Sequence, residues 1–130
     1  MHLVIDIGGT FTRGYLIHPR SGEVLDHGKI LTIYDSKRAN LELSKLAKKL
    51  GKANCIDYIC VGFPAPVEGF SGILSTTYFD GPKLTASITS ALKNSCPEAT
   101  ILFSNDVTLN AFHYVTGEHQ DFAAFNLGTS

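Results

Sequence analysis

Residues 3–17 read LVIDIGGTFTRGYLI: an apolar, β-branched strand, a two-glycine turn, and a second strand of similar character. Two strands separated by so short a turn can only fold back on each other as a hairpin, and Gly8-Gly9 suits it because glycine reaches positive φ without steric cost. A Gly-Gly-Thr turn also lacks side chains that would keep an anion from its backbone N–H groups. Thr10 and Thr12 add hydroxyl donors, and Asp6 at the strand end is placed to hold Mg²⁺ through water. The same string also fits an ordinary hairpin, so the turn by itself leaves phosphate binding open.

With 130 residues, the chain has the length of one domain with a buried core and is short for a two-domain enzyme. Hydrophobic residues make up 44% and charged ones 18%, which is a globular balance rather than a disordered one. The net charge is −1, and the one basic cluster, Lys45 to Lys52, falls on an expected helix as a solvated face. Nucleic acid is therefore not the expected partner. Asp6 interrupts the first apolar run, no segment has membrane-spanning length, and no membrane partner is expected. Cys55, Cys60 and Cys96 form no C-x-x-C pair, which points to a reducing cytoplasm. The five histidines lack metal-ligand spacing.

Turn residues Pro19-Arg20-Ser21-Gly22 precede a third strand expected over Glu23 to Ile33. A helix beginning near Ser36 carries Leu43, Leu46, Ala47 and Leu50 at helical spacing and ends at Gly51. Ile56 to Phe63 is a continuous apolar run, as a buried parallel strand requires. Gly62 to Gly69 is too rich in Pro and Gly for regular structure. A second helix starts at Pro82 with the stripe Leu84, Ile88, Ala91 and Leu92, and Ala99 to Phe103 is a short strand. A third helix over Val107 to Val115 and a strand over Phe122 to Leu127 complete the pattern.

The order is βββαβαβ followed by a further helix and strand. It predicts an α/β fold with a mixed five-stranded sheet flanked by helices. Right-handed crossovers bring the ends of strands 1, 4 and 5 together, so the loops Asp6–Thr10, Gly62–Gly69 and Ser104–Asp106 should line one cleft.

Four segments, IDIGGTFTRGYLI, VGFPAPVEGFSGIL, FSNDVTLNAF and FNLGTS, occur in an order that resembles the first half of a sugar kinase. The resemblance is to the ROK family, glucokinase-like members of the actin-like ATPase superfamily, whose domains are ribonuclease H-like. It implies ATP and Mg²⁺ as cofactors and a hexose or amino sugar as the small-molecule partner. It assigns the ATP phosphates to Asp6, Gly8, Gly9 and Thr10, with Thr12 and Arg13 close by. Gly128 and Thr129 resemble the start of a second phosphate turn. Gly62, Pro64, Pro66 and Val67 would wall the sugar site, Asn105 would contact sugar hydroxyls, and Asp106 would be the catalytic base.

Two departures bear on sugar identity: Thr77 stands where the family usually has Asn, and Ala65 replaces a Gly. The resemblance further divides the chain into an N-terminal domain, residues 1–120, and the first strand of a second, residues 121–130. On that division the chain ends inside the second phosphate turn. Its final strand and interdomain face would favour self-association as a homodimer. Later sugar ligands and a Cys/His zinc site would follow Ser130.

The chemistry agrees with the residue types. Phosphoryl transfer needs phosphate charge neutralised and a hydroxyl held in line. Asp106, at an expected helix N-terminus, is kept ionised and able to accept the hydroxyl proton. Asn105 or Asp106 as a plain helix cap is the competing assignment. Two other functions share parts of the pattern. A sugar-sensing ROK regulator would carry a helix-turn-helix ahead of the first strand. A hydantoinase or oxoprolinase-like ATPase would carry Asp where this chain has Arg13, without the N-D-x-x-x-N-A run of Asn105 to Ala111.

Overall fold

A computed structural model describes residues 1–32, 36–51, 55–76 and 80–105. The expected helix over 107–115, the strand over 122–127 and the division at residue 120 lie outside the described residues.

Strands β1 (His2–Ile7), β2 (Phe11–Ile17) and β3 (Val24–Leu31) form an antiparallel meander. Helix α1 (Ser36–Gly51) leads to β4 (Tyr58–Phe63), which pairs in parallel with β1. The short strands β5 (Val67–Glu68) and β6 (Gly72–Ile73) precede helix α2 (Gly81–Ser95) and then β7 (Thr100–Asn105), parallel to β4. The resulting five-stranded mixed sheet has the order β3-β2-β1-β4-β7, which is the predicted arrangement.

Strand alternation sorts side chains onto two faces. Leu3, Ile5, Leu16, Ile59, Val61 and Phe103 are buried, and the α1 stripe Leu43, Leu46, Ala47 and Leu50 is buried with them. The helix lies close to the sheet because β2 and β3 present glycines to it. A Cβ on Gly14 would stand 2.6 Å from Leu50 Cδ1, and one on Gly28 2.8 Å from Leu46 Cδ1. Polar rungs then join α1 to α2. Asn40 and Ser87 share two hydrogen bonds of 2.7 and 3.0 Å, and Ser95 Oγ donates to Ser44 O at 2.8 Å. At the start of α2, Asp80 accepts from the Lys83 N–H at 3.2 Å and Pro82 occupies the first turn, as its fixed φ favours.

One expectation fails in the Pro/Gly-rich loop. Val67 and Glu68 pair with Ile73 and Gly72 in a small hairpin. Gly69, with φ 57°, makes the reversal possible, and Ser71 N–H closes it on Glu68 O at 3.0 Å. Phe103 N–H donates to Phe70 O at 2.9 Å, tying this hairpin to β7. Strand limits shift as well: β4 begins at Tyr58, whereas Ile56, still buried, packs beside Gly51. Among the described residues, no helix is long and apolar enough to cross a membrane.

Candidate active site

Because β1, β4 and β7 are adjacent and parallel, their carboxyl ends emerge on one side of the sheet. The first of these ends is the turn between β1 and β2. Gly8 N–H donates to Phe11 O at 2.9 Å, leaving Gly9 and Thr10 exposed at the tip. Neither Gly8 nor Gly9 has positive φ, contrary to the expectation from the Gly-Gly pair; among the described residues only Gly22 and Gly69 do. The turn is shaped instead by Thr32, just beyond β3. Its N–H donates to Thr10 O at 2.9 Å and its hydroxyl donates to Gly8 O at 2.7 Å.

Thr12 completes this network. It is 4% exposed, and its Oγ1 lies 3.0 Å from Thr32 Oγ1. Since the single Thr32 hydroxyl proton is committed to Gly8 O, Thr12 is the donor of that pair. Its hydroxyl therefore faces inward and fastens the turn, while Thr10 remains at the surface.

Asp6 lies on the opposite face of the sheet from Thr12. In register it stands beside Gly62 of β4 on one side and Arg13 of β2 on the other, and Arg13 stands beside Lys29 of β3. The Phe11 ring, two residues from Arg13, has the Arg13 guanidinium carbon 5.7 Å and the Lys29 Nζ 4.3 Å from its centroid. A carboxylate and two cations thus form a row across three strands, next to the glycine turn.

At the end of β4, Gly62 is buried and Phe63 is still paired in the sheet, and the chain then leaves it through Pro64, with Ala65 N–H donating to Phe63 O at 2.8 Å. Ala65 itself is 5% exposed and belongs to the core. Asn105, the last residue of β7, stands beside Phe63. Between the sheet end and the two helices lies a cavity of about 500 Å³, bordered by Ile7, Gly8 and Gly9 from the first turn and by Phe63 and Pro64 from the second. Apolar Leu43, Leu84 and Ile88 and the paired Asn40 and Ser87 form much of its wall. The structure thus joins two of the three expected loops around one cavity and brings β7 to their edge. Thr77, Asp106, Gly128 and Thr129 lie outside the described residues.

Among the described residues, no three of His, Cys, Asp and Glu come together as a metal cage. Burial pushes the Cys60 and Cys96 thiols above their ordinary pKa, so both act as small apolar groups. Sequence reasoning missed Thr32 and Lys29. Neither sits in a recognisable motif, and only the pairing of β3 with β2 brings them to the turn.

No family model and no curated protein matches the chain. Solved structures do. A ROK family glucokinase from Streptomyces griseus, in complex with glucose and AMPPNP, superposes with a TM-score of 0.72 at 14% identity, covering 92% of this chain and 38% of that one. A candidate sugar kinase from Cytophaga hutchinsonii gives 0.60 at 22% identity, covering 85% and 38%. A candidate N-acetylmannosamine kinase from Listeria monocytogenes gives 0.59 at 20% identity, covering 89% and 39%. The Holliday junction protein RuvC from T. thermophilus, in complex with its substrate, gives 0.55 at 10% identity. This chain spans less than two-fifths of the length of each of the three kinases. The fold is accordingly ribonuclease H-like, a mixed five-stranded sheet with flanking helices in the arrangement of these solved structures.

Proposed function

We propose that this chain forms the phosphate-binding part of an ATP-dependent sugar kinase. The observation that carries the reading is the meeting of the Gly8–Thr10 turn with the Phe63–Pro64 loop at the ends of parallel strands, in a fold shared with a glucokinase solved with glucose and AMPPNP. The Gly8–Thr10 turn, whose exposed tip is Gly9 and Thr10, lies against the phosphates, and Arg13 supplies positive charge from the adjacent strand. Thr12 supports the turn from beneath. Asp6 is the carboxylate that would hold Mg²⁺, and the ion would supply neutralisation of phosphate charge. Gly128 and Thr129 supply the second phosphate turn.

Gly62, Pro64 and Thr77 wall the sugar site, and Asn105 orients the reacting hydroxyl. Asp106 accepts its proton as the sugar oxygen bonds to the γ-phosphorus and the bond to the bridging oxygen breaks, releasing ADP. The acceptor is a hexose or an amino sugar. ROK-type sugar sensing without phosphoryl transfer, or a hydantoinase-like ATPase, are the alternatives that the assay separates.

The test is calorimetry of the chain with Mg²⁺–AMPPNP, followed by a coupled ADP-release assay of the whole protein against hexoses and N-acyl amino sugars. Saturable nucleotide binding and sugar-dependent ADP release are expected. Sugar binding without ADP release would favour the sensor, and ADP release independent of every sugar would favour the ATPase.

A further inference from the structure

We propose that Lys29 on β3 is a second phosphate-binding cation, and that with Arg13 it seats a chain of two or more phosphates beside the Gly8–Thr10 turn. This inference rests on the nucleotide reading above and deepens it with a residue that belongs to no motif. Lys29 and Arg13 are direct partners across the β2–β3 ladder. Both lean the same way along the sheet, since the Lys29 Nζ lies 4.3 Å and the Arg13 guanidinium carbon 5.7 Å from the centroid of Phe11. Phe11 is the first residue of β2, next to Thr10. The two charges therefore incline toward the glycine turn and away from Tyr15 and the far end of the strand.

Neither charge is closed into an ion pair. Among the described residues the ion pairs are Met1–Asp57 and Lys45–Glu42, and neither side chain makes a hydrogen bond. Asp6 stands beside Arg13 on the β1 side, away from Lys29. Lys29 lies on the edge strand β3 and is exposed, so Arg13 is its one ladder partner. The Phe11 ring holds both cations by its π face, a contact that leaves most of their N–H donors for a ligand. Two like charges held opposite each other disfavour the empty sheet and favour an anion that reaches both. A phosphate chain presents successive negative groups, one for each cation, whereas a single phosphate offers one.

Lys29→Gln removes the charge, whereas Lys29→Arg keeps it. The measurements on the chain are calorimetry with Mg²⁺–AMPPNP, pyrophosphate and orthophosphate, and the melting temperature without ligand. Lys29→Gln should weaken AMPPNP and pyrophosphate binding about tenfold, the lower end for a hydrogen bond to a charged group, and Lys29→Arg should restore both. Orthophosphate, which fills one place, should bind the parent and Lys29→Gln equally weakly. The melting temperature of Lys29→Gln should hold or rise, because a like-charge pair is relieved. A lysine serving the sheet alone would instead lower it and leave the affinities as they were. Unchanged pyrophosphate affinity in Lys29→Gln would overturn the proposal, as would an equal loss for orthophosphate. If the unsubstituted chain binds pyrophosphate but not AMPPNP, the nucleotide reading fails and the pyrophosphate comparison alone judges Lys29. Binding of neither overturns both.

Discussion

Arg13 and Lys29 face each other directly across β2 and β3, two cations each placed over the one Phe11 ring. Like charges placed opposite each other in a sheet repel, and the ring offsets only part of that. Asp6, beside Arg13 in register, takes up part of the remainder, and a bound anion would add to it. Arg13→Ala should therefore weaken Mg²⁺–AMPPNP binding by more than about tenfold, the usual scale for a charged hydrogen bond. It should also abolish any rise in melting temperature produced by added pyrophosphate. Equal stabilisation of both proteins by pyrophosphate would take the phosphates away from this row.

The two kinds of glycine turn should respond differently to a side chain. Gly69 has φ 57°, so Gly69→Ala should cost about 1–3 kcal/mol of stability through backbone strain and leave AMPPNP affinity alone. Gly9 lacks positive φ, so Gly9→Val should change stability little and reduce AMPPNP affinity by crowding the phosphates. Urea titration alongside calorimetry separates the two effects. A large stability loss in Gly9→Val with unchanged affinity would return that turn to an ordinary hairpin.

Gly14 and Leu50 should behave as a coupled pair. Leu50 is 2% exposed and sits where a Gly14 Cβ would be. Leu50→Ala should cost about 2–5 kcal/mol by leaving a cavity, and Gly14→Ala about 1–3 kcal/mol by overfilling the same space. The double variant should lose less than the sum of the two. Strict additivity in denaturant unfolding would show that α1 can shift away from β2 without cost.

Asp106→Asn in the whole protein should lower sugar phosphorylation about 10²–10⁴-fold while nucleotide affinity stays near normal, because the proton acceptor is lost and the charge partners of ATP are kept. Retained turnover would reduce Asp106 to a helix cap. The 130-residue chain alone, spanning 38% of the glucokinase it resembles, should bind AMPPNP yet release no ADP on adding sugar. Without a closed, water-excluding cleft, the in-line geometry is not held.

The sheet and its two helices were legible because their signals are periodic. Leu43, Leu46, Ala47 and Leu50 recur at helical spacing, and all four are buried. Ile59 and Val61 lie in a continuous apolar run, and both are fully enclosed. The β5–β6 hairpin was hidden because Pro64, Pro66 and Gly69 argue against strands unless the single positive-φ residue is known. The turn is marked in the sequence by its glycines, yet neither takes the positive φ that glycine permits, and the turn is tied by Thr32, 22 residues beyond Thr10. Hydrogen bonds of that reach leave no periodic trace in sequence. The inward orientation of Thr12 follows from strand alternation once the register with Ile7 is fixed.

The pairing pattern also orders events in time. Ile7 meets Thr12 and Phe11 meets Leu31, so the three-stranded meander closes over short loops. By contrast, His2 meets Tyr58 and Tyr58 meets Thr100, each across several tens of residues and a helix. Such distant partners are the slow part of folding, since chain entropy is lost before the contact is gained. A newly made chain should thus acquire its glycine turn early and receive Gly62, Pro64 and Asn105 last. The cleft is then a late product of assembly, and variants that slow β4 docking should leave a species whose first hairpin is protected from exchange while the cleft has yet to form.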